Sequence, residues 1–178
     1  MSDRVLYLFV CGAGPAGRVT EMVTLARAEG WSVYCIATPA AVEHFLDLQE
    51  LENATGHRVR TSYQKPGDES LPRADAVIVA PATYNTVNKW AAGISDTYAL
   101  NQLAELTGLG VEIVVLPFVN RALASNRVFG RSVEELRQSG VRVLLGPGEF
   151  EPHPPRTGGQ ALDTYPWALA LEALSSQR

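Results

Sequence analysis

A chain of 178 residues, 46% apolar and 19% charged, is long enough to bury an ordinary core and too apolar for disorder. Its net charge of -4 speaks against a nucleic-acid groove, which asks for a surplus of Lys and Arg. No apolar run approaches the roughly 18 residues of a membrane span, and Cys11 and Cys35 lack zinc or disulfide spacing, which fits a reducing cytoplasm. The opening MSDRVLYLFV is too short an apolar stretch for a signal peptide and leads into a glycine turn, so residues 5–10 predict a first strand. Residues 32–37 predict a second and residues 58–62 a weaker one. Residues 76–80 and 111–116 are near-continuous apolar runs, as strands buried on both faces should be, and residues 141–145 close the series. Helical patterns fall between them, over 15–29, 40–53, 86–92, 96–106 and 120–139, the last open to a break at Gly130. This alternation predicts right-handed βαβ units. The fold class is therefore α/β: a Rossmann-like, doubly wound parallel sheet of five or six strands in three αβα layers.

The tail changes character. GPGEFEPHPPRTGG, residues 146–159, holds four of the eleven prolines and four glycines, so it reads as a loop before a last apolar helix over 160–174. Residues 1–145 form the binding domain, and 146–178 are a flap-like loop and helix of the same domain. In open parallel sheets ligands lie outside the carboxyl ends of the strands, where strand order reverses. That rule selects residues 11–17, 38–40, 81–86 and 117–120 as loops that should meet around any small molecule.

Gly12, Gly14 and Gly17 match G-x-G-x-x-G between a strand and a helix, with Pro15 suited to the first helical position. A dinucleotide site also asks for a carboxylate about 20 residues on, for the ribose hydroxyls. Ile36, Ala37, Thr38 and Pro39 stand there instead, so an NAD site is disfavoured. Thr38, Thr83 and Thr86 converge on the same end of the sheet, and one phosphate of a mononucleotide is the simplest occupant. Helix capping is the competing role for Asn85, Thr86 and Asn120.

PATYNTVNKWAAGISD, residues 81–96, resembles the signature of the homo-oligomeric flavin-containing cysteine decarboxylases, P-A-S-A-N-T-x-x-K-x-A-x-G-I-x-D-N. Pro81, Ala82, Asn85, Thr86, Lys89, Ala92, Gly93, Ile94 and Asp96 keep its register; Thr83 replaces Ser and Tyr84 replaces Ala. The strand ending Pro117, Phe118, Val119, Asn120 is similar to the family's P-x-M-N motif. The resemblance implies FMN as the cofactor, held by Gly12, Ala13, Gly14, Thr38, Thr83, Tyr84, Asn85 and Thr86, with Phe118 bordering its ring. It implies Asn120 as the residue for the carboxylate of a small-molecule or peptide substrate, and assembly as a homotrimer or dodecamer. Trp90 and Ile94, on a helix with few charges, are compatible with packing or with burial in such an interface.

Two family features are missing. Decarboxylating members carry a histidine shortly before the strand that here starts at Ala76, but residues 66–75 read PGDESLPRAD. Asp68 is the nearest substitute base; His44 and His57 lie elsewhere. The flap of the coenzyme A pathway members carries a cysteine, whereas this loop offers Glu149, Glu151, His153 and Arg156. The expected function is an FMN-binding flavoprotein that oxidises or decarboxylates a thiol- or amine-bearing carboxylate. A non-catalytic FMN-binding regulatory subunit is the alternative, and a flavin prenyltransferase a weaker one.

Overall fold

The computed structural model describes residues 4–175. Five parallel strands, β1 (Arg4–Val10), β2 (Trp31–Ala37), β3 (Ala76–Ala82), β4 (Glu112–Pro117) and β5 (Arg142–Val143), form one sheet in the order β2-β1-β3-β4-β5. Every residue of β3 is buried, as its unbroken apolar run requires of a strand covered on both sides. The expected strand at 58–62 reduces to a single bridge, Arg60 to Ile36. Arg60 exchanges two backbone hydrogen bonds of 2.9 Å with Cys35 and Ala37, and then the chain leaves the edge.

The chain runs from β1 outward to β2, returns, and then proceeds from β3 outward the other way. Right-handed crossovers in opposite directions put their helices on opposite faces. Helix α1 (Val19–Ala28) meets α8 (Trp167–Ser175) on one face, α8 also lying on β3 and β4. On the other face α4 (Tyr84–Ala91) packs against α5 (Tyr98–Gly108) and α7 (Arg127–Gln138). Between β2 and β3 lie α2 (Pro39–His44) and α3 (Leu48–Thr55); the short α6 (Arg121–Ala124) precedes α7.

Three expected helices are interrupted, each for a local reason. The first begins as a 3-10 turn, Gly14–Arg18, before α1. The second stops at Phe45 because Asp47 starts a new helix, its carboxylate accepting from the Glu50 amide at 3.0 Å. The third breaks at Ser125 and Asn126, where Asn126 accepts from the Val128 amide at 2.9 Å, while Gly130 sits inside α7. The last helix is shorter than 160–174, since a 3-10 turn, Gly158–Ala161, comes first and α8 starts at Trp167.

Candidate functional site

The four loops at the carboxyl ends of the strands are stitched together in sheet order. Thr38 N donates to Val10 O at 3.0 Å, Cys11 N to Pro81 O at 3.1 Å, and Phe118 N to Ala82 O at 2.8 Å. Each bond ties the first residues after one strand to the neighbouring strand's end, so the rim has little freedom to open. The reversal of strand order lies between β1 and β3, and a cavity of about 380 Å3 occupies that place. Its walls come from the loops after β1 (Gly12), β2 (Thr38, Pro39, Ala40) and β3 (Thr83, Asn85, Thr86), with Thr97 just before α5 and Leu100 within it.

Three threonines in this wall cap three helices. Thr38 accepts from the Ala41 amide (3.4 Å), Thr83 from Thr86 (3.2 Å) and Thr97 from Leu100 (3.2 Å). A capping hydroxyl uses its oxygen on the helix and keeps its proton for something else. Thr83 gives that proton to Thr86 Oγ1 at 3.1 Å, and Thr86 is almost wholly buried. Three helix N-termini thus face one cavity whose lining residues carry no side-chain charge, an arrangement that favours an anion. Gly12 is dictated by packing: a Cβ there would stand 2.8 Å from Ala40 Cβ and 3.0 Å from the Ala40 carbonyl carbon.

Cys11 lies beneath this wall, fully buried. Burial pushes its thiol up, against the opposing pull of the Thr86 side chain and the Thr83 backbone, so it stays protonated and unreactive at neutral pH.

The remaining sequence candidates fall in different places. Gly14 stands beside Phe118, a Cβ on it reaching 3.7 Å from Phe118 Cε1, and it is also pressed by Leu162. Ala13 is buried in the same turn, and neither lines the cavity. Tyr84 stacks on Phe129 of α7 at 5.4 Å between ring centroids, inside the helical layer. Asn120 caps α6, its Oδ1 accepting from the Leu123 amide at 3.0 Å, which leaves its NH2 group to donate elsewhere. Asp68 sits in an exposed turn, where its carboxylate accepts from the Lys65 amide at 2.8 Å. Trp90 is buried within the chain, its indole donating to Thr107 Oγ1 at 3.1 Å, whereas Ile94 is exposed. Lys89 pairs with Asp96 at 2.5 Å and so ties the end of α4 to the turn before α5. His57 stacks on Tyr34 at 3.9 Å and meets Ser32 Oγ, away from the cavity. Sequence reasoning passed over Thr97 and Leu100; the available signal was a Thr cap placed directly before the apolar pattern of α5.

The C-terminal segment closes over the outer loops. Phe118 is surrounded by Phe150, His153 and Tyr165, with ring centroids 6.1, 4.7 and 5.7 Å away. Tyr165 is buried and donates to Leu116 O at 2.6 Å; Asp163 pairs with Arg18 at 2.5 Å. Among the described residues no helix is long and apolar enough to cross a membrane.

Comparison with known proteins finds the same fold. A coenzyme A biosynthesis bifunctional protein CoaBC of Thermococcus kodakarensis is 27% identical over 133 residues, covering 70% of this chain and 32% of that one. The chain therefore spans about a third of that relative's length. Among solved structures, the FMN-dependent cysteine decarboxylase SpaF superposes with a TM-score of 0.68 at 23% identity, over 97% of this chain and 98% of its own. HAL3 from Cryptococcus neoformans superposes with a TM-score of 0.75 at 20% identity, over 98% and 97% of the two chains. The sequence pattern of the Flavoprotein family matches residues 1–158, and the chain belongs to that family.

Proposed function

We propose that this flavoprotein binds FMN in the cavity between the loops after β1, β2 and β3. The observation that carries the reading is that wall: threonine hydroxyls and three helix N-termini around about 380 Å3, without a side-chain charge. A doubly charged phosphate fits hydroxyls and helix-end amides. Pro39, Ala40 and Leu100 supply apolar surface for part of a flat ring system, and the volume lies within the range of small-molecule sites, roughly 300–1,000 Å3. Gly12, Thr38, Thr83, Asn85 and Thr86 form the proposed cradle, with Ala13 and Gly14 in the adjoining turn, Phe118 beside Gly14, and Tyr84 turned away onto Phe129. When bound, FMN supplies two-electron redox chemistry. Asn120 spends its Oδ1 on the cap, so its NH2 can hold a substrate carboxylate, which supports the oxidation or decarboxylation of a thiol- or amine-bearing carboxylate. Assembly as a homotrimer or dodecamer belongs to the same proposal; Ile94, Leu123 and Val128 are exposed apolar side chains available for it. A cytoplasmic location belongs to the same proposal, and the buried, unpaired Cys11 and Cys35 are compatible with it.

One observation favours a second reading, an FMN-binding regulatory subunit without catalysis. No histidine stands in residues 66–75, and the Asp68 carboxylate is engaged by its own turn.

The purified protein is expected to be yellow, to release FMN identified by mass, and to rebind it after stripping. A colourless protein that takes up no added FMN overturns the cofactor assignment. Anaerobic mixing with N-acetylcysteine or cysteine-ended peptides separates the two readings: bleaching of the flavin supports the enzyme, and an unchanged spectrum with every thiol supports the subunit.

A further inference from the structure

Buried polar atoms in folded chains nearly always find a partner. His153 Nδ1 is buried and, among the described residues, makes no hydrogen bond. The residue is nevertheless held firmly. Arg121 N donates to His153 O at 2.8 Å, the backbone bridges to Asn120, and the ring lies 4.7 Å from that of Phe118. A side chain fixed this closely to the loop after β4 is a component of that rim, contributed from the C-terminal segment.

The unpartnered nitrogen decides where the proton sits. An orphaned buried N–H is less tolerable than an orphaned acceptor. The neutral ring therefore leaves Nδ1 bare and carries its proton on Nε2. Gly158 lies against that second nitrogen, where a Cβ would stand 3.4 Å from Nε2, and His153 borders a cavity of about 470 Å3. We propose that His153 is a substrate-binding residue that presents an Nε2–H donor to an oxygen of the ligand held beside Asn120. The inference rests on the reading of the site as one for FMN and a carboxylate substrate. Burial pulls the imidazole below its ordinary range, which keeps it an uncharged donor at pH 7. The titratable groups around it are Glu149, Glu151 and Tyr165 in the shared cavity and Arg121 on the bonded loop.

The test uses the full chain with FMN bound and N-acetylcysteine as the probe. Long-range proton–nitrogen NMR of the histidine rings is expected to report the Nε2–H form for His153, and its Nε2 resonance to shift when N-acetylcysteine is added. H153Q places an amide nitrogen near the position of Nε2 and is expected to keep the affinity for the probe. H153L keeps an apolar side chain against Phe118 and is expected to lose affinity about tenfold, the scale of one hydrogen bond to a charged acceptor. The flavin spectrum of both variants verifies that the site is folded. An Nδ1–H form, a resonance indifferent to the probe, or H153L binding like the parent overturns the inference. Failure of FMN to bind at all counts instead against the functional reading, since the tautomer is also measurable in the flavin-free protein.

Discussion

Thr83 and Thr86 each hold the protein and its cavity at once. Thr83 caps α4 through its oxygen and passes its proton to Thr86, which sits over Cys11. Thr86→Val keeps the shape and removes the acceptor. The expected result is a loss of about 1 kcal/mol in stability and about tenfold weaker FMN binding, read by thermal unfolding and by quenching of flavin fluorescence. Unchanged affinity would place the Thr86 hydroxyl outside the cofactor's reach. At this scale the sequence was most readable where chemistry and local conformation coincide. Thr38 followed by Pro39, and Thr83 three residues before Thr86, are cap patterns as well as cavity walls. Thr97 is also a cap, but its approach to the cavity depends on how α5 packs against α4, which no short stretch of sequence encodes.

Among the elements, strands were easier to place than helix ends. A strand buried on both faces announces itself by composition, as β3 and β4 do. Residues 58–62 carry strand-like side chains too, yet only Arg60 pairs, because the chain turns from the sheet edge into the exposed turn at Asp68. The helix break expected at Gly130 occurs at Asn126, since a side chain that caps a new helix interrupts the chain more effectively than a glycine that merely tolerates other conformations. Gly130 stands exposed in α7, and a Cβ there would meet nothing within 4 Å. Gly130→Ala should therefore raise stability by about 0.5–1 kcal/mol, seen as a higher denaturant midpoint with an unchanged slope. A lower midpoint would mean that α7 needs the glycine for a contact outside this chain.

For the molecule as a whole, several buried groups must remain protonated for the fold to persist. Burial raises Cys35 to about 12, and burial with neighbouring phenols raises Tyr7 to about 12. Burial also raises Cys11, and lifts Tyr165 well above its ordinary value. In the unfolded chain these thiols and phenols lose their protons near their ordinary values of 9.0 and 10.0. The native state thus binds more protons above that range, and stability falls as pH rises. The contribution is complete below pH 9 and is lost on the way to 12. Urea unfolding should show a clearly lower midpoint at pH 10.5 than at pH 8; equal midpoints would mean the native interior admits these charges.

The ring cluster over Phe118 also equips the protein with a light-based gauge of its own tail. Trp167 is buried edge-on against Tyr165 at 4.7 Å, at the start of α8 and on the segment that bears His153. The other two indoles, Trp31 under the Arg4 guanidinium and Trp90 beside Thr107, belong to the sheet edge and to α4. With those two replaced by phenylalanine, indole emission, excited beyond the absorption of the tyrosines, comes from Trp167 alone, and its colour and intensity track how tightly the C-terminal segment is seated.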